Sequence, residues 1–224
     1  MRRVSIPELL DSDAGTAFEV QTALADLRRI NRWFGGTSTT LALLERVISR
    51  SAPRQLSLLE VASGTAVLPN AAVEFARKHN VHLRVVCFDR CFTHLDTGVP
   101  AVVGDALHLP FATESFDLVS CGLFAHHLEP SEIVRFAREA LRVAREALLI
   151  NDLIRNAIHL AMAWVGRPLW RSRLTRHDSV ASVRRSYTPA ELGSLLQQAQ
   201  PAKVEISQYY FFRFGAIAWK RHEK

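Results

Sequence analysis

Leu56-Ser57-Leu58-Leu59-Glu60 runs directly into Val61-Ala62-Ser63-Gly64-Thr65-Ala66, and this junction of an apolar run, an acid and a small-residue turn decides the fold. Two later runs also close on a carboxylate: Val85-Val86-Cys87-Phe88-Asp89 and Ala101-Val102-Val103-Gly104-Asp105. Short apolar runs without polar alternation suit strands buried on both faces, as in a parallel sheet covered by helices. Ligands of such sheets sit beyond the carboxyl ends of the strands, so the three acids are expected to line one crevice. The turn at Gly64 lets a ligand approach the backbone before Pro69 and Asn70 lead into a helix.

These residues resemble the class I S-adenosylmethionine-dependent methyltransferases. In that family an acid opens a glycine-rich loop after strand one, a second acid ends strand two and holds the ribose hydroxyls, and a third after strand three reads the adenine amine. Glu60, Asp89 and Asp105 match these positions one by one. Ala106-Leu107-His108-Leu109-Pro110-Phe111 and then Ser115-Phe116-Asp117-Leu118-Val119 resemble the family's passage into strand four. The likeness is strong over residues 55 to 154 and looser elsewhere. It implies an α/β, Rossmann-like class I methyltransferase fold: a seven-stranded, mostly parallel sheet with an antiparallel last strand and an N-terminal helical cap. Residues 1–54 would form the cap and 55–224 the methyltransferase domain. The implied cofactor is S-adenosyl-L-methionine, bound by Glu60, Ala62, Ser63, Gly64, Asp89, Arg90, Asp105, Ala106 and Ser120.

Two residues depart from the family: Ala62 and Ala66 stand where glycine is usual, and an extra methyl at either place is expected to crowd the methionine end of the ligand. A protein that binds the cofactor without turnover therefore stays open as an alternative. A dinucleotide-binding unit would need G-x-G-x-x-G to admit a pyrophosphate. The chain keeps one glycine of that set, and Glu60 would repel a pyrophosphate while suiting the ammonium of a methionine moiety.

The 224 residues are 48% hydrophobic, enough for a substantial core. No apolar run reaches the roughly 18 residues of a membrane span, and the basic start lacks a signal core, so a cytoplasmic location is expected. Cys87, Cys91 and Cys121 have neither metal-site nor disulfide spacing, which fits reduced thiols packed in the core, and no metal site is read. Charge is uneven. Residues 1–54 carry eight cations against six acids (+2), residues 55–154 eight against twelve (−4), and residues 155–224 twelve against four (+8). Arg167, Arg171, Arg173, Arg176, Arg184 and Arg185 read as an irregular stretch, either a solvated loop or a collar for an acidic substrate, carrier protein or membrane face.

Helical spacing of Val20, Leu24, Leu27, Ile30 and Phe34 predicts a helix over residues 17–34, broken by Gly35-Gly36, with a second from Leu41 to Ile48. Asn31 to Gly36 resembles the stretch that folds over the cofactor mouth in related methyltransferases, which makes Trp33 a candidate substrate contact. Ser131 is expected to cap a helix, Ala147 to Asn151 to form strand five, and Ile154 to Trp164 an apolar helix. Thr188-Pro189-Ala190-Glu191 predicts a capping box, and Val204 to Tyr210 and Phe212 to Trp219 the last strands.

The acceptor is to be read after strand four, at Ser120 to Leu128. An Asn/Asp-Pro-Pro-aromatic turn or a Pro-Cys nucleophile would mark nucleobase methylation, and neither is present. Histidine can take a proton at neutral pH as an oxygen attacks the sulfonium carbon, so His127, and behind it His126, are the candidate general bases. Asn151-Asp152-Leu153-Ile154-Arg155, the 177–185 stretch and Phe211-Phe212-Arg213 resemble a bacterial subgroup found beside type III polyketide synthases. That likeness implies a small apolar acceptor, such as a phenolic or polyketide-like hydroxyl, with Asp152 and Arg155 near it. A nucleic-acid methyltransferase is the competing reading.

Overall fold

The computed structural model describes residues 1–12, 14–91 and 98–221. Its centre is a seven-stranded sheet in the order β3-β2-β1-β4-β5-β7-β6. The strands are β1 Gln55–Val61, β2 His82–Asp89, β3 Ala101–Val103, β4 Phe116–Gly122, β5 Ala144–Leu153, β6 Lys203–Tyr209 and β7 Arg213–Trp219. Strands β1 to β5 pair in parallel, while β7 runs antiparallel between β5 and β6. This is the class I methyltransferase sheet.

Successive residues of the central strands feed opposite faces, which is why their runs are apolar throughout. Leu59, Val119 and Leu148 pack with α4 (Pro130–Val143) and α7 (Pro189–Gln197) through Ile133, Phe136, Leu192 and Leu196. Leu58, Leu118 and Leu149 pack with α2 (Gly36–Ser51) and α3 (Val67–Lys78) through Leu43, Val47, Ala72 and Ala76. The capping box at Thr188 starts α7 as its spacing predicts. For α4, the cap is Glu129 with Pro130 at the first turn, two residues before the expected Ser131, because Glu129 and Glu132 satisfy each other's backbone N–H groups.

The arginine-rich stretch is not the irregular segment expected from its composition. It contains α6 (Arg173–Arg185), which packs on α1 (Ala17–Trp33) through Leu174 against Val20, Ala23 and Leu24. Two buried acids tie these pieces together. Asp26 of α1 accepts the backbone N–H groups of Arg171 and Ser172, and Asp178 of α6 accepts those of Leu9 and Leu10. Between β5 and α6 lies α5 (Ala157–Val165), started by Asn156 rather than Ile154. The N-terminal segment, α1, α5 and α6 thus cover the carboxyl end of the sheet. Among the described residues, no helix is long and apolar enough to cross a membrane.

Candidate active site

A cavity of about 1400 Å³ opens where the carboxyl ends of β1, β2, β4 and β5 meet the helical cover. One lobe is formed by the loop after β1, where Ala62, Gly64 and Ala66 all have positive φ, 54°, 49° and 56°. Only Gly64 adopts this conformation without steric cost, and a Cβ there would meet nothing within 4 Å, so it borders open space. Gly64 donates its N–H to Asp89 Oδ2 at 2.9 Å, and Cys91 donates to Asp89 Oδ1 at 2.9 Å. The acid ending β2 therefore braces the loop after β1.

Glu60 is 1% exposed and pairs across the sheet with Ser120, whose hydroxyl donates to its carboxylate. Burial, with no cation beside it among the described residues, pushes the Glu60 carboxyl up to about 7. A ligand ammonium would supply the missing charge. Asp105 is exposed on the far side of the lobe, held below the usual carboxylate range first by the Leu107 N–H and then by His108. Ala62, Ser63, Gly64, Asp89, Arg90, Asp105 and Ala106 all border the cavity with Glu60. Ser120 does not, and acts on the site through Glu60. Cys91 also borders it and is half-buried, so it is not the core residue its sequence context suggests.

The second lobe is walled by Leu24 and Leu27 of α1, Phe34, Phe124, Met162 of α5, Trp170 and Phe211. Phe34 stands edge-on to Trp170 at 6.0 Å and lies 4.6 Å from Phe211. Trp33, the expected contact, is 60% exposed and outside the lining, because α1 ends there and Phe34, its C-cap residue, lines the cavity instead. Arg155 is outside as well. Its guanidinium clamps Met1 O, Ser186 O and Glu191, joining the chain start to α7.

A charged corner closes this lobe. His126 is buried, with Nδ1 2.6 Å from Asp152 Oδ1 and Nε2 3.3 Å from Glu8 Oε1. Burial opposes its charge, but Asp152 and Glu8 outweigh burial and raise its pKa to about 10. At neutral pH it is an imidazolium and has no lone pair for an incoming proton. Asp152 is not a cavity residue; it positions His126. His127 stacks on Phe124, with Nδ1 3.0 Å from Asp11 Oδ2 and Nε2 3.8 Å from Glu8 Oε2. Arg185 reaches Asp11 at 3.3 Å and Glu8 at 4.0 Å. Ligand atoms of Glu8, His126 and His127 lie within 4.8 Å of one another, a set able to hold a metal ion. No local pattern points to Glu8 or Asp11 here, since more than a hundred residues separate them from the histidines and only the fold brings them together.

A sheet of this order, with an acid at the end of β1, another at the end of β2 and a third after β3, has the class I methyltransferase fold. A family model described as a methyltransferase domain matches residues 59–147, from the end of β1 into β5. Among solved structures, a Bacillus halodurans protein assigned to the methyltransferases is 23% identical, with 75% of this chain and 71% of that one covered and a TM-score of 0.52. Human N-acetylserotonin methyltransferase, solved with S-adenosylmethionine, is 13% identical over 90% of this chain and 56% of its own, with a TM-score of 0.62. The plantazolicin methyltransferase BpumL is 11% identical over 96% and 95%, with a TM-score of 0.69. A search of curated proteins finds no match. The chain thus carries a methyltransferase-domain match over its β1–β5 segment within a class I methyltransferase fold, and both support S-adenosylmethionine-dependent methyl transfer.

Proposed function

We propose that this enzyme transfers the methyl of S-adenosylmethionine to the hydroxyl oxygen of a small, largely apolar acceptor, phenolic or polyketide-like. The observation that carries this reading is the two-lobed cavity: an acid-lined lobe beside the β1 loop continues into an aromatic and aliphatic lobe that ends at the two histidines. In the first lobe Glu60 meets the ammonium, Asp89 the ribose hydroxyls and Asp105 the adenine amine. The second lobe then presents the acceptor to the methyl carbon.

Of the two histidines, His127 is assigned the proton. Asp11 takes its Nδ1–H, which leaves the lone pair on Nε2, 3.8 Å from Glu8 Oε2 in the cavity wall, a tautomer inferred from the partner. The acceptor oxygen attacks the methyl carbon, the carbon–sulfur bond breaks with its electron pair on sulfur, and the hydroxyl proton passes to His127. Alignment of oxygen, carbon and sulfur supplies much of the rate.

The nucleic-acid reading loses support from the arginines. Arg173 is paired with Glu19 at 2.5 Å, Arg176 donates to Trp170 O at 2.9 Å, and Arg185 is held by Glu8 and Asp11. Side chains already bound within the fold are poor phosphate contacts. A panel of phenols with lengthening alkyl chains tests the proposal. Turnover should rise with chain length; methylation of oligonucleotides and of no phenol would overturn it.

A further inference from the structure

Arg213 opens β7 and is fully buried. Its Nε donates to Phe34 O at 2.9 Å, and its stem packs beneath Gly35, where a Cβ would come 3.7 Å from Arg213 Cγ. Nη1 and Nη2 are buried with no hydrogen-bond partner among the described residues, and Arg213 is one of the residues lining the cavity. A guanidinium stays charged at any working pH, and leaving its N–H groups unpaired in the interior is costly. Native interiors satisfy nearly all such groups, so a pair of unused donors at a cavity wall is a place made for a ligand. Asp152, the nearby acid, makes no hydrogen bond to either nitrogen; its carboxylate holds the His126 ring and the N–H groups of His126 and Leu153 instead.

The geometry points to Arg213 as the anchor for a carboxylate on the methyl acceptor. Two unpartnered nitrogens in one plane, each able to point an N–H forward, match two coplanar anionic oxygens. Position excludes the cofactor's own carboxylate. Arg213 pairs with Leu153 of β5, whereas Glu60 lies on β1, three strand spacings away at roughly 14 Å. The methionine ammonium and carboxylate share one carbon, so an ammonium at Glu60 keeps its carboxylate on the β1 side. The acceptor is thereby narrowed from a phenol to a phenolic acid with an apolar body, a refinement that rests on the acceptor reading above.

A matched pair of probes tests this: a pentyl-substituted salicylate and the pentylphenol that lacks only the carboxylate. Calorimetric titration into the complex with S-adenosylhomocysteine should show the salicylate binding at least about tenfold more tightly, the range of a charged hydrogen bond. Arg213→Met should reduce that preference to within about threefold and leave S-adenosylhomocysteine affinity within the same factor. Arg213→Lys keeps the charge without the fork, should retain part of the preference, and serves if the methionine variant fails to fold. Equal affinities for the two probes in the unmodified protein would overturn the proposal, as they would if the guanidinium merely holds water. Loss of S-adenosylhomocysteine binding in a folded Arg213 variant would also overturn it, by placing the fork on the cofactor. Tight salicylate binding without methylation would sink the acceptor reading and keep the anion site.

Discussion

Asp152 holds His126 twice: Oδ1 lies 2.6 Å from ring Nδ1, and Oδ2 accepts the same residue's backbone N–H at 2.9 Å. One carboxylate at the end of β5 thus fixes both the ring and the turn after β4. With Glu8 at the other ring nitrogen, the imidazole is enclosed by acids and carries its proton.

That enclosure sets a pH dependence of stability. His126 has a pKa of about 10 in the fold against 6.5 unfolded, so between those values the folded chain binds more protons. Its contribution is complete below pH 6.5 and is lost as pH rises through 10. Asp152 and Glu8, held below the usual carboxylate range, act in the opposite sense, losing their contribution as pH falls through their folded values. Melting temperature should therefore decline from pH 6.5 to 10. Asp152→Asn should flatten that decline and cost about 3–5 kcal/mol at pH 6, the range for breaking a buried pair. Parallel melting curves for the two proteins across this pH range would refute the assignment.

Glu60 makes cofactor binding pH-dependent. Its carboxyl titrates near 7 in the free protein, while a bound ammonium requires it ionised. Below pH 7, binding must release a proton, and affinity for S-adenosylhomocysteine should rise between pH 6 and 8. Calorimetry at pH 6 in two buffers of different ionisation enthalpy reads the proton directly. Proton uptake, or a buffer-independent heat, would remove Glu60 from the ammonium site.

Ala62 and Ala66 lie in the left-handed region with φ of 54° and 56°. An L-residue there costs about 1–2 kcal/mol, from which glycine's greater freedom in the unfolded chain subtracts about 0.4–1. Ala66→Gly should stabilise the protein by about 1 kcal/mol, a rise of about 2–4 °C in melting temperature. Cofactor affinity should stay within about tenfold, or 1.4 kcal/mol, because the ligand approaches at Gly64. A gain of several orders of magnitude would mean the alanines impair the site, and would favour a protein that binds cofactor without turnover.

The sheet was legible because its strands are short apolar runs closing on acids, and two-sided burial demands such runs. The lobe around Glu60, Asp89 and Asp105 was legible for the same reason, since these acids sit at fixed places relative to strand ends. The second lobe was not. Glu8 and Asp11 reach it from a chain start whose local sequence carries no signal, Arg213 stood out only through a family likeness that gave it no role, and α6 escaped because its inward residues are few and its arginines look solvated. Trp33 and Phe34 differ by one position, a rotation of about 100° on a helix, and the periodic pattern could not say which faced the cavity.

His127 offers the sharpest separation of binding from chemistry. Its ring is partly exposed to the cavity, stacks on Phe124, and keeps Nε2 3.8 Å from Glu8 Oε2, whereas His126 is locked as an imidazolium. If His127 takes the acceptor proton, His127→Ala should lower kcat by about 10²–10⁴-fold, the usual worth of a general base, with S-adenosylmethionine affinity unchanged. The loss should shrink for phenols acidic enough to ionise at the assay pH, because their oxygen needs no base to attack. A purely structural role would slow all phenols alike, and a loss independent of phenol acidity would therefore reject His127 as the base while leaving the methyltransferase assignment intact.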